Sequence, residues 1–435
     1  MTHKLYPLLL ALTASVTLAA DNGWDDAGLD WGDSWETETT EPSPWNLSGF
    51  TDFGYGEFVH DNPVDDTQSL LELRSQFSAN RYFGNHFFSS KLELILDDVD
   101  DHPVQFEARE LFVDLHLSNS VSLRAGQQIL TWGTGDFVFL NDFFPKDWQA
   151  MFSGRDDDYL KAPSTSIKTT FYHAAVNTDL VWTPDFTGDV FISGERFAYF
   201  SPTAGDVVAA PPKIKAKEPS PQFSHGQFAL RLFKTVNGVE YALYGYRGYY
   251  TQPLGYDPVK QVNTYPRLNS AGASIRSPLL GGIANAEMAY WDSLDDDKGD
   301  NPLIPNSQWN LLFGFEREAV TNFTIGLQML LQQMQDYDAA KAASITPAYL
   351  VDELHSTVTT RLTYLAMQQK LTWSLFMFYS ADAKDIYLKP KLSYRHDDHW
   401  LFVVGANDFN GADNFTQWGQ FEKNSNIYAR MRYSF

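Results

Sequence analysis

The sequence has no cysteine. That excludes a disulfide scaffold, a thiolate metal centre and a lipid anchor carried on an N-terminal cysteine. Beyond the first twenty residues it also lacks long apolar runs. None approaches the roughly 18 residues a helical membrane span needs, so such spans are excluded. Cations are scarce, with 32 Lys and Arg against 55 Asp and Glu and a formal net charge of −23. Nucleic acid is therefore not an expected partner. No HExxH, phosphate-binding P-loop or GxGxxG between strand and helix occurs, and the ten histidines are scattered without a serine in a nucleophile motif. The expectation is no enzyme, no catalytic residue, no metal and no cofactor.

What is present points to a membrane by another route. Hydrophobic residues make up 43%, close to an ordinary soluble chain, yet aromatics reach 15%. A β-barrel with a lipid-facing exterior and a wet interior needs both figures, because only alternate residues face lipid and aromatic girdles line both interfaces. His3 and Lys4, the apolar stretch 5–19 and Leu18-Ala19-Ala20 together read as a signal peptide over 1–20 that is removed on export. Residues 21–44 form an acidic segment with three Trp and no Lys or Arg. This is expected to be a disordered periplasmic tail. The alternatives are docking to a basic periplasmic partner or entry into the lumen as a plug.

From Trp45 to the end the pattern is strand-like. Ile427, Ala429, Met431, Tyr433 and Phe435 alternate with Tyr428, Arg430, Arg432 and Ser434, which suits lipid on one face and water on the other. Tyr433 and the final Phe435 look like the terminal signal read by the barrel assembly machinery. The same alternation places Leu71, Leu73 and Phe77 opposite Glu72, Arg74 and Gln76, and Leu371, Trp373 and Leu375 opposite Thr372 and Ser374. Short turns fall near 84–85, 118–120, 237–238, 320–322, 368–369 and 397–398, with Asn237-Gly238 a two-residue hairpin signal. Longer connections span 132–162, 186–222, 252–265, 292–306, 336–353 and 409–424. The fold class expected is all-β: an antiparallel transmembrane barrel over 45–435 of about 18 strands, with about 16 also fitting, and a lumen too wide for its side chains to fill.

The third external connection, 132–162, is too apolar to lie in water. Folded into the lumen, it would bury its Phe and Trp and present Asp136, Asn141, Asp142, Lys146, Asp147, Arg155 and Asp156 as a constriction. A cap packed on neighbouring external loops is the alternative. Inward faces carry Arg74, Lys91, Arg124, Arg231, Arg361, Lys389, Lys391, Arg430 and Arg432. As pore-lining groups they would face an acidic loop across the lumen and set up a transverse field. They could instead pair with luminal acids such as Glu72, Glu93 and Glu107. The acid clusters Asp97-Asp98-Val99-Asp100-Asp101, Asp156-Asp157-Asp158 and Asp295-Asp296-Asp297 read as solvated loop tips, or less simply as sites for divalent cations between lipopolysaccharide phosphates.

The stretch 123–184 carries Arg124-Ala125-Gly126-Gln127-Gln128, Trp132-Gly133, Asn141-Asp142-Phe143-Phe144-Pro145-Lys146-Asp147-Trp148, Gly154-Arg155-Asp156-Asp157 and Tyr159-Leu160-Lys161-Ala162-Pro163. It resembles a group of uncharacterised proteobacterial outer-membrane porin-like β-barrel proteins. The resemblance implies a porin-like barrel whose third loop narrows the channel, and it assigns no solute. The function expected is passive diffusion of small solutes or ions across the Gram-negative outer membrane. The alternative is a barrel that docks an export or lipid-transport complex through its acidic N-terminal segment. Expected partners are outer-membrane lipid and lipopolysaccharide, the assembly machinery and a periplasmic protein for 21–44.

Overall fold

The computed structural model describes residues 44–435, apart from 65 and 222–224. The expected signal peptide and nearly all of the acidic segment lie outside the described residues. Eighteen strands form one sheet. In chain order they are β1 Trp45–Phe58, β2 Gln68–Phe83, β3 His86–Asp97, β4 Val104–Ser118, β5 Val121–Gln128, β6 Ser164–Phe171, β7 Asn177–Thr183, β8 Gln227–Val236 and β9 Val239–Tyr249. They continue with β10 Arg267–Leu279, β11 Gly282–Ser293, β12 Gln308–Val320, β13 Phe323–Met334, β14 Leu354–Ala366, β15 Leu371–Ser380, β16 Asp385–Arg395, β17 Trp400–Gly411 and β18 Asn426–Ser434.

Each strand pairs antiparallel with its neighbour in sequence, and β18 returns to pair with β1 from Phe50↔Ser434 to Phe58↔Asn426. The ring therefore closes without an edge, which is what allows strands to stand in lipid with every ladder group paired. The backbone of Gly49 and that of Phe435 exchange two hydrogen bonds of 2.9 Å, so the final residue seals the seam.

Alternation of exposure divides the two faces. Phe53, Phe77, Leu94, Leu243, Phe313, Leu327, Trp373, Val404 and Ile427 are exposed on the outside, while Asp52, Glu72, Arg74, Glu93, Glu287, Asn310 and Asn407 are buried within. Exposed Tyr82, Phe83, Phe171, Tyr172, Tyr364, Tyr433 and Phe435 lie close to the short turns and form one aromatic belt; Tyr55, Trp309 and Tyr379 lie toward the other end.

The connections are unequal. One end carries the turns 84–85, 119–120, 172–176, 237–238, 280–281, 321–322, 367–370 and 396–399. Asn237-Gly238 and Leu280-Gly281 both place two residues at positive φ, the two-residue turn whose twist matches the strands it joins. The opposite end carries the longer loops, of which the third (129–163), fourth (184–226) and fifth (250–266) are the ones that shape the interior. The fourth and fifth share a three-stranded sheet, Ala216–Lys217 against Val262–Thr264 against Gly255–Asp257.

A candidate constriction inside the barrel

The third loop folds inward. Its local structure comes from its own polar residues. Asp147 caps the short helix Trp148–Ser153 by accepting from the Ala150 amide at 2.8 Å, and Gly154 ends it at φ 82°. A Cβ at Gly154 would also strike the Tyr428 ring, so both backbone and packing require glycine there. Asp156 caps the 3₁₀ turn Asp157–Leu160. The Asp147 amide donates to Leu160 O at 2.8 Å and the Ala162 amide to Pro145 O at 3.0 Å, closing this half of the loop on itself.

An apolar strip inside the barrel receives it. Leu312, Phe376, Phe378, Tyr387 and Phe409 point inward from β12, β15, β16 and β17, and bury against Val138, Leu140, Met151, Phe152 and Leu160 of the third loop, with Phe197 of the fourth and Trp418 of the last. Phe152 stands within 4.8 to 5.9 Å of the rings of Phe197, Tyr387, Phe409 and Phe421. On the other side Leu130 and Phe144 pack with Val181, Ala229, Tyr246 and Leu268. Each such side chain removed from water contributes about 1.5–3 kcal/mol, so the loop is part of the core of the molecule.

Polar ties run around the wall. Glu287 on β11 is 3% exposed and accepts from the Thr134 amide (2.6 Å), Thr134 Oγ1 (2.9 Å), the Asn141 amide (3.1 Å) and Asn141 Nδ2 (3.0 Å). A Cβ at Gly272 on β10 would collide with the Asn141 side chain, so the wall is flattened where the loop approaches. Gln328 on β13 exchanges two bonds with the Asp136 backbone, at 2.8 and 2.9 Å. Asn407 and Asn426 both donate to Phe152 O, at 2.8 and 2.9 Å.

The cations expected to line the pore lie inside the barrel, and each has an acid partner. Arg74 pairs with Glu72 and Glu93, Lys91 with Glu110, Arg124 with Asp114, Arg231 with Glu240 and Arg430 with Asp52. The remaining four reach the third loop. Arg361 binds Asp136 in a fork, Lys389 and Lys391 both bind Asp157 (2.7 and 2.5 Å), and Arg432 bridges Asp52 and Asp156 (2.7 and 3.3 Å). The contact runs the other way at Arg155, which crosses to Glu72 and Asp97 on β2 and β3. Arg196 of the fourth loop also binds Asp97. Of the other loop residues, Lys146 is 3% exposed and paired with Asp142 at 3.0 Å. Tyr433 and Phe435 are exposed at the turn end of the seam.

Burial alone would push the Asp157 carboxyl up, but the Lys389 and Lys391 ammonium groups hold it well below the usual carboxylate range. Asp147 is shifted the opposite way: burial pushes it up and the Arg155 charge only partly offsets that. The loop thus carries two acids with opposite tendencies ten residues apart.

Several sequence expectations need correction. Asp97, Asp156 and Asp157 do not belong to solvated tips: Asp97 is 1% exposed beneath two arginines, and the other two bind wall cations. The luminal aromatics and Leu312 were missed, although Phe376 and Phe378 break the polar face of β15 and carry the signal. Glu287, Arg196 and the inward fold of the fourth loop were missed as well, because their partners are distant in sequence. His355 does meet Asp382, at 2.5 Å, and Thr357 Oγ1, at 3.3 Å. The Thr357 and Ser380 hydroxyls beside it are 4% and 0% exposed and tie strands together, which is not the setting of an open nucleophile.

A closed ring of 18 antiparallel strands, apolar outside, polar and aromatic inside, with a long third loop folded into the lumen, is an outer-membrane porin-like barrel of the Gram-negative envelope. The chain matches no protein-family model and no curated protein. Among solved structures it is similar to OccAB3 of Acinetobacter baumannii, at 9% identity and a TM-score of 0.53 over 90% of this chain and 99% of that one. It is similar also to OccAB1 of the same species (10%, TM-score 0.52, 90% and 96%) and to OccK5 (OpdH) of Pseudomonas aeruginosa (12%, TM-score 0.51, 90% and 97%). At these identities the likeness is one of fold.

Proposed function

We propose that the protein is a passive channel for small solutes, with the third loop as its constriction. One observation carries this reading: the loop spans the lumen and is tied to β2, β3, β11, β13, β14, β16, β17 and β18 while open space remains on both sides of it. A cavity of about 330 Å³ lies toward the short turns, lined by Thr134, Asp136, Arg276, Asn285, Glu316 and Arg361. Another, of about 280 Å³, lies toward the long loops. Because the nine cations expected to line the pore are each paired, selectivity would come from the shape of the gap and from the loop's own groups more than from a broad field.

The test is single-channel conductance of the refolded barrel in a planar bilayer, with reversal potential under a salt gradient. Small, stable open steps support the channel. Silence from a barrel shown to be folded would overturn it and move weight to a docking role, in which removal of residues 21–44 should abolish capture of a periplasmic complex. The exposed Tyr433 and Phe435 are proposed as the assembly signal; replacing Phe435 by Asp should lower the amount of folded barrel in the membrane.

A further inference from the structure

The cavity on the long-loop side has a composition that a simple aqueous pore does not require. Phe137, Phe143 and Trp148 of the third loop face Trp291, Phe378 and Trp418 from the wall and the last loop across about 280 Å³. A second cavity, of about 350 Å³, shares Trp148, Leu254 and Trp418 with it and continues along Phe152, Phe191 and Phe200. An aromatic route therefore leads from the outer loops down to the constriction. The cavity on the turn side is lined instead by Thr134, Asp136, Glu316 and Arg361.

The charges in the aromatic wall are already used. Its charged residues are Asp142, Lys146 and Asp189. Lys146 Nζ donates to Asp142 Oδ1 at 3.0 Å and to Phe144 O at 2.6 Å. Asp142 Oδ2 accepts from Thr131 at 2.7 Å. Both oxygens of Asp189 are taken, by the Lys146 amide at 3.0 Å and by Trp148 Nε1 at 2.8 Å. A carboxylate entering this space finds no spare cation. The two carboxylates are buried behind their own donors, with the Asp142 side chain 0% and Asp189 6% exposed, out of reach of an ammonium, so either ion would lose hydration without a partner. Asn310 Nδ2 and Trp418 Nε1, on two wall residues, are buried donors that meet no acceptor. A neutral ligand carrying a carbonyl oxygen could satisfy such a group.

We infer that this cavity is a binding site for small uncharged aromatic solutes bearing an oxygen acceptor, held between the third loop and the wall before they pass the constriction. That such a solute then crosses rests on the channel reading above; its binding does not. The experiment is calorimetric titration of the folded barrel in detergent with benzamide, benzoate and benzylamine, which share one ring and differ in charge. Benzamide should bind saturably, and the two ions more weakly by about tenfold or more. Leu254→Trp, on an exposed loop position at the cavity rim, should weaken benzamide binding by a similar factor without altering the fold. Equal or tighter binding of either ion would overturn the inference, as would benzamide binding that is absent from the wild-type barrel or unchanged in the Leu254→Trp variant. A barrel that binds benzamide but conducts no ions would keep the site and sink the channel.

Discussion

The two halves of the third loop are held by different chemistry. The first half, around Thr134 and Asn141, hangs on one buried carboxylate, Glu287, which receives four neutral donors. The second half, from Arg155 to Leu160, is held by ion pairs: Arg155 to Glu72 and Asp97, and Asp157 to Lys389 and Lys391. Hydrogen bonds to a buried charge are short-range and insensitive to salt, and so are the Arg155 pairs, whose acids are 7% and 1% exposed, whereas the Asp157 pairs, with the carboxylate 27% exposed, depend on both ionic strength and protonation. The comparison implies that one half is a permanent anchor and the other a latch that conditions can loosen.

The sharpest way to break the comparison is at Glu287. Glu287→Gln keeps the shape but turns an NH₂ toward donors that need an acceptor, leaving buried groups unsatisfied. The expected loss is about 2–3 kcal/mol in stability of the folded barrel, read as a lower melting temperature, together with larger and noisier conductance steps. Next in size is the pair Lys389→Gln with Lys391→Gln, which strands Asp157 without a cation. Asp157 is partly exposed and water can reach it, so about 1–2 kcal/mol is expected, with larger conductance and little broadening of the melting transition. If the lysine variants prove more damaging than Glu287→Gln, the division into anchor and latch is wrong.

Acid offers a gentler test of the same latch. The Asp157 carboxyl is held below its ordinary value, so its contribution is complete above the unfolded pKa of about 3.9 and is lost as pH falls through the lower folded value. Conductance should therefore stay flat from neutrality through the ordinary carboxylate range and rise only in stronger acid, as pH falls below about 3.9 toward the lower folded value. The Lys389→Gln, Lys391→Gln barrel should lose that low-pH rise. A transition centred near neutrality would point to another group.

How much of this was legible in the sequence follows from the range of the interactions. Strands and turns are local, so alternation in Ile427 to Phe435 and the Asn237-Gly238 pair sufficed to read them. The inward fold of the third loop was legible because Phe137, Phe139, Phe143, Phe144 and Trp148 together are too apolar for an external loop. Its landing site was not. Phe376, Phe378, Tyr387 and Phe409 sit at luminal positions where alternation leads one to expect polar side chains, and their role exists only once the loop covers them. Asp97, Asp156 and Asp157 depart from the expected solvated tips for a related reason, while Asp98, Asp101, Asp158, Asp295 and Asp297 are exposed. An Asp reads as solvated until its partner is known, and Asp157 finds its lysines more than two hundred residues away.

The smallest expected effect is the most discriminating. Arg361 and Asp136 form a fork at the turn-side edge of the first half, where Asp136 is 44% exposed by side chain. Its backbone is held independently by Gln328. Asp136→Asn should therefore cost no more than about 0.5–1 kcal/mol, because an exposed pair is screened and the loop keeps its neighbouring ties. The change should still be felt electrically, since it removes one negative charge from the wall of the polar cavity and frees the Arg361 guanidinium into it. Reversal potential under a salt gradient should shift toward anions, and the shift should shrink as ionic strength rises toward 1 M, where the screening length falls to about 3 Å. A shift of that sign with an unchanged melting temperature would make the anchored first half of the loop an electrostatic filter as well. An unchanged reversal potential would confine its role to holding the loop in place.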